Sequence, residues 1–136
     1  MKMLNLSAEN LNEIPTLNLA FIGDGVYDLL VREYLVSSSH LPVGELNRRK
    51  VALVNCKSQA DAVRQILPEL SEEETTVFKR GRNEKVSSPS KHSTIADYHA
   101  ATGLETLFGY LYLKGEIDRL NELFRSIISF AAESHD

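Results

Sequence analysis

Two acids stand out by the company they keep. Asp24 lies within residues 17–27 (LNLAFIGDGVY), a run apolar on nearly every side, with Gly23 and Gly25 beside it. Glu105 is the only ionisable acid in residues 100–113 (AATGLETLFGYLYL). On a helix it shares a face with Ala101, Phe108 and Tyr112. A carboxylate on a buried helix costs several kcal/mol unless it is paired or holds a metal. Two such acids on two buried helices are expected to face each other. Close carboxylates repel, and both stay ionised only with a cation between them. Oxygen donors without His or Cys suit a hard ion, Mg²⁺, with Mn²⁺ as a substitute. A plainer use is that each acid pairs with an Arg or caps a helix, and the residues alone leave both uses open.

Other chemistry-bearing residues add less. The four histidines, His40, His92, His99 and His135, have no ligand spacing. Cys56 is the lone cysteine, which excludes an internal disulfide and a cysteine metal cage. Set near Val51, Ala52, Leu53 and Val54, it reads as core filler rather than a nucleophile. The net charge of −4 argues mildly against a nucleic-acid partner. Distribution matters more than the sum: residues 79–92 hold Lys79, Arg80, Arg82, Lys85 and Lys91 against Glu84 alone. Arg48, Arg49 and Lys50 form a second basic knot. A concentrated basic segment on an acidic chain can address a polyanion locally.

The elements that must position these residues read as helices throughout. With 136 residues, 43% apolar and 25% charged, residues 1–136 are expected to form one globular domain. The start, MKMLNLSAEN, lacks the apolar run of a signal peptide. Nor does any stretch approach the ~20 apolar residues of a membrane span, so a cytoplasmic protein with no membrane partner is expected. Ser7 is expected to cap a short helix to about residue 12, with Pro15 closing it or starting the next. Residues 16–36 follow with a stripe of Leu19, Ile22, Val26 and Leu29, broadened by Leu17, Phe21, Tyr27, Val31 and Tyr34, buried in the first half and amphipathic in the second. Helical spacing resumes over 43–67, with a break near 55–58. Ser71 and Glu74 make a capping box for a helix to about Arg82. Residues 81–93 form a long irregular segment of the kind that is usually functional or disordered. Thr94 caps a helix to residue 113, stopped at Lys114-Gly115. A final amphipathic helix spans 116–132, with Ile117, Leu120, Leu123, Phe124, Ile127 and Ile128 on one face.

The motifs FIGDGVYD (21–28) and GLETLFGYLYL (103–113) resemble the signature helix and the C-terminal metal-binding helix of the ribonuclease III endonuclease domain. With KRGRN (79–83) between them, the whole chain is most similar to the short bacterial form, the Mini-ribonuclease III family, which has no double-stranded-RNA-binding domain. The resemblance implies an all-α endonuclease-domain bundle that forms a symmetric homodimer, with Phe21 at the interface. It implies a metal-dependent endoribonuclease with Asp24 and Glu105 as catalytic metal ligands. Hydrolysis of a phosphodiester needs an activated water and neutralised phosphate charge, and a carboxylate-held metal supplies both. Staggered cuts in double-stranded RNA with short 3′ overhangs are implied, and precursor 23S ribosomal RNA as substrate. Lys79, Arg80, Arg82, Lys85 and Lys91 are the expected RNA contacts, with Arg48, Arg49 and Lys50 behind them. Larger relatives carry two more acids, where this chain has Ala20 and Thr102. That departure implies weaker metal binding and admits an alternative, a non-catalytic RNA-binding module of the same fold. Asp28 and Asp97 are either outer-shell residues or solvated and structural ones.

Overall fold

Capping and glycine chemistry set the helix limits. The computed structural model describes residues 10–85 and 94–134, which form six α-helices and two short 3₁₀ turns, with no strand among them. The first 3₁₀ turn, Leu11–Glu13, is capped by Asn10, whose side chain accepts from the Asn12 amide at 3.1 Å. Ser7, the expected cap, lies outside the described residues. Pro15 opens helix α1, Thr16–Ser38. The expected break falls at Asn55, between α2, Val43–Val54, and α3, Cys56–Ile66. That one side chain serves both ends: its Oδ1 accepts from the Ser58 amide, and its Nδ2 donates to the carbonyls of Val51 and Ala52. After the 3₁₀ turn Leu67–Glu69, α4 runs Glu72–Arg82 behind a complete capping box of Ser71 and Glu74. Helix α5, Ile95–Lys114, begins at Thr94, whose hydroxyl accepts from the Asp97 amide, and ends on Gly115 at φ 84°, where a glycine carries no Cβ penalty. Helix α6, Ile117–Ser134, closes the bundle.

Helix α5 is the axis. Residues 100–104 and 106–111 are all buried on it, with α1, α3 and α4 packed around it. From α6, Leu120, Leu123, Phe124 and Ile127 enter the core, as their spacing predicts. Glu74 is buried too, and Arg119 of α6 compensates it at 2.8 Å while also donating to the Glu69 carbonyl at 2.7 Å. The Arg119 guanidinium, the largest influence, holds the Glu74 carboxyl below its usual range.

Three expectations need correcting. The buried stripe of α1 is Leu19, Gly23, Tyr27, Val31 and Leu35 with Ala20, while Leu29 is 52% exposed. The first half of α1 is not buried all round, because one face meets α5 while Leu17, Phe21, Asp24 and Gly25 on the other side stay exposed among the described residues. Cys56 is half-buried at the first position of α3 rather than core filler, since α2, which carries Val51 to Val54, contributes no buried residue.

Candidate active site

Glycines bring α1 and α5 into backbone contact. A Cβ at Gly23 would overlap the carbonyl of Glu105, and a Cβ at Gly109 would overlap the carbonyl of Leu19. One glycine from each helix therefore removes the side chain that would hold the other helix away. Gly23 precedes Asp24, and its contact point is Glu105 itself. The same close approach that packs the core sets the two acids side by side.

Their carboxylates lie within hydrogen-bonding reach of each other. Asp24 is exposed and Glu105 half-buried. Burial, then the Asp24 charge, then the contact with its carboxylate push the Glu105 carboxyl up to about 8. Asp24 is thus not the buried charge its apolar surroundings suggest; it stands on the outward side of α1, and Glu105 carries the desolvation.

Among the described residues, no Lys, Arg or His forms an ion pair with either acid. Both acids are mid-helix, so neither serves as a cap. The plainer uses of the pair are therefore absent. Two carboxylates without a counter-charge, one of them partly desolvated, are a donor set that fits a small divalent cation. No group of three or more His, Cys, Asp or Glu gathers among the described residues, so the remaining ligand positions would fall to water, which Mg²⁺ tolerates. Ala20 is buried, and the buried Thr102 donates its hydroxyl to the Tyr98 carbonyl at 3.0 Å, so neither contributes an oxygen ligand.

The other acids are spoken for. Asp28 pairs with Arg32 and with Lys50 at 3.4 Å. Asp97 pairs with Arg64 at 2.8 Å, and that guanidinium holds its carboxyl below the usual range. Of the two uses open to them, the structural one matches these contacts. His40 is exposed and His99 half-buried with its Nδ1 unpartnered; His92 and His135 lie outside the described residues.

The basic segment divides. Lys79, Arg82 and Lys85 are exposed at and just beyond the C-terminus of α4. The Arg82 guanidinium lies 5.7 Å from the centre of the Phe78 ring, on which it can rest while facing solvent. Arg80 is different: half-buried, it donates to the Ile14 carbonyl at 2.6 Å and to the Thr16 hydroxyl at 3.0 Å, tying α4 to the start of α1. Charge alone groups it with its neighbours, because charge does not reveal an internal partner. Lys91 lies outside the described residues. Arg48 and Arg49 are exposed on α2 and pair with Glu45.

The outer face of α1 exposes several large apolar side chains beside Asp24. Phe21 is 85% exposed, with Leu17, Leu29 and Val36 along the same helix also exposed. A Cβ on Gly25 would meet nothing within 4 Å, so nothing among the described residues requires a glycine there.

A Ribonuclease III domain family model matches residues 17–116, which spans both acids and the basic segment of α4. The chain is 40% identical over 127 residues to a Mini-ribonuclease 3 of Clostridium tetani, covering 93% of this chain and 84% of that one. It is also 40% identical over 128 residues to a Mini-ribonuclease 3 of Thermoanaerobacter, covering 94% and 90%. A crystal structure of a Fusobacterium nucleatum protein superposes with a TM-score of 0.81 at 28% identity, covering 91% of this chain and 99% of that one.

Proposed function

The chain belongs to the ribonuclease III family, in its Mini-ribonuclease 3 branch, and from that premise we propose that it is a Mg²⁺-dependent endoribonuclease making staggered cuts in double-stranded RNA. Maturation of the ends of precursor 23S ribosomal RNA is the proposed cellular task. The observation that carries the reading is the Asp24–Glu105 pair: two carboxylates in contact, without a basic partner, held by a glycine-mediated helix crossing.

Asp24 and Glu105 would hold the ion. When bound, it activates water and offsets phosphate charge. The chain's own groups divide the remaining work. Exposed Asp24 faces the solvent from which RNA arrives. Burial and the neighbouring Asp24 carboxylate favour the protonated form of Glu105, so holding an ion there would release that proton. Lys79, Arg82 and Lys85, with Lys91, would grip the backbone, since duplex RNA is read mainly by shape and phosphate contacts. Arg80 fixes α4, and with it that basic edge, to the helix carrying Asp24.

The apolar outer face of α1 supports a two-fold dimer built on Phe21. A second copy of α1 packed there would also account for Gly25, where a side chain would keep two backbones apart. Two sites related by that symmetry would cut the two strands of one duplex and leave short 3′ overhangs. A cytoplasmic location fits a ribosomal precursor as substrate. No described helix is long and apolar enough to cross a membrane.

A second reading, RNA binding without cleavage, draws on Ala20 and Thr102, which leave the pair without further acids. A long RNA duplex with Mg²⁺ separates the two. Cutting of the duplex but not of single strands, stopped by chelator, is the expected result. Binding without cutting in either Mg²⁺ or Mn²⁺, including on a ribosomal precursor stem, would establish the second reading instead.

A further inference from the structure

A cavity of about 290 Å³ lies between the α2–α3 junction and α6. Leu53, Ala62, Ile127 and Ile128 give it apolar walls, and Tyr27 of α1 is part of its lining. Tyr27 is 2% exposed. Its ring is wedged between Phe108 and Phe124, with centroids 5.5 and 5.9 Å away, and its hydroxyl is not fully enclosed, so it reaches the open space of the cavity that Tyr27 lines. Among the described residues that hydroxyl has no hydrogen-bond partner, and burial alone pushes its pKa above the ordinary range. Open to the cavity rather than sealed in the core, that hydroxyl is a donor available to an occupant.

The other polar groups of the cavity are already engaged. Ser58 donates its hydroxyl to the Ala52 carbonyl at 2.7 Å. Lys57 and Asp61 pair at 2.9 Å, and Arg64 approaches the same carboxylate at 3.6 Å. What remains is an apolar chamber with one donor unspent, at the small end of the ~300–1,000 Å³ range of ligand pockets. We propose that this cavity is a binding site for a small, uncharged, mostly apolar molecule with a carbonyl-type acceptor, which takes the hydrogen bond of the Tyr27 hydroxyl. The site is separate from the carboxylate pair but mechanically close to it. Tyr27 follows Asp24 by one helical turn, and its ring partner Phe108 follows Glu105 by one turn.

The test is an amide ¹H–¹⁵N titration of the full chain with acetophenone, and with ethylbenzene as a probe of similar shape that lacks the acceptor. Saturable shifts at Leu53, Ala62 and Ile127 are expected with acetophenone, and binding about three- to tenfold weaker with ethylbenzene, the worth of one neutral hydrogen bond. Tyr27→Phe should bring acetophenone down to the level of ethylbenzene. Ile128→Trp, which fills the chamber from its wall, should abolish binding of both and gives an independent check if Tyr27→Phe perturbs the fold. Absence of saturable shifts up to the solubility of acetophenone overturns the proposal. So does equal binding of the two probes that Tyr27→Phe leaves unchanged.

Discussion

Without metal, the protein should lose stability as pH rises from about 5 to 8, and Glu105 is the reason. An unfolded Glu releases its proton near pH ~4.3, whereas burial and the Asp24 carboxylate hold the Glu105 proton to about 8. Between those values the folded state binds more protons than the unfolded one, so each increment of pH favours unfolding. The penalty is absent below the lower value and complete above the upper, at up to about 5 kcal/mol. Urea unfolding of chelator-treated protein across this range measures it, and Glu105→Gln should flatten the dependence. An unchanged slope in the variant would place the titrating group elsewhere. Two adjacent cations offer a contrast at the same scale. Arg80→Ala should destabilise by ~1–3 kcal/mol through loss of its hydrogen bonds to Ile14 and Thr16, whereas Lys79→Ala should stay within ~0.5 kcal/mol. The pairing of Asp24 with Glu105 was legible in the chain, because each is the single acid in an apolar helical run. The exposure of Asp24 was not, since an apolar neighbourhood looks the same whether the chain or a second copy covers it.

At the scale of helices, the crossing of α1 and α5 depends on Gly23 and Gly109. Adding a methyl at either position sets it against a backbone carbonyl, which cannot rotate away as a side chain can. Gly23→Ala or Gly109→Ala should cost ~1–3 kcal/mol or more, seen as a lower Tm, and should reduce RNA cleavage by separating the acids. A variant with both unchanged would mean that the helices can part without harm. The ends of the helices were largely readable: Ser71 with Glu74, Thr94 and Gly115 act where their chemistry places them. The buried stripe of α1 was harder to place. Both faces of that helix are apolar, so periodicity could not choose between them, and Gly23 gives no hydrophobic signal at the point of tightest packing. Arg80 escaped for a related reason, as its partners lie more than sixty residues away in the chain.

Across the whole molecule, a carboxylate pair is joined to a basic edge and to a helix face that exposes Phe21. If the proposed dimer is built on α1, Phe21→Glu should give a monomer in sedimentation, by placing a charge among the exposed apolar residues of that helix. An unchanged dimer would locate the interface on another surface. Neutralising Lys79, Arg82 and Lys85 together should lower the salt dependence of RNA binding by roughly 0.7–0.9 for each phosphate no longer neutralised. The family and its all-helical architecture were recognisable from two motifs and a basic segment, whereas assembly and substrate depend on surfaces that a single chain leaves uncovered. The decisive experiment follows Mn²⁺ binding and Mg²⁺-dependent duplex cleavage side by side in the natural chain, Asp24→Asn and Glu105→Gln. Each substitution keeps shape and removes a ligand charge. Both should weaken the metal and cut cleavage by more than the ~10–100-fold typical of losing an outer partner of a metal ligand, while duplex binding persists. Cleavage that survives either substitution at the natural rate would remove the acid pair from the chemistry.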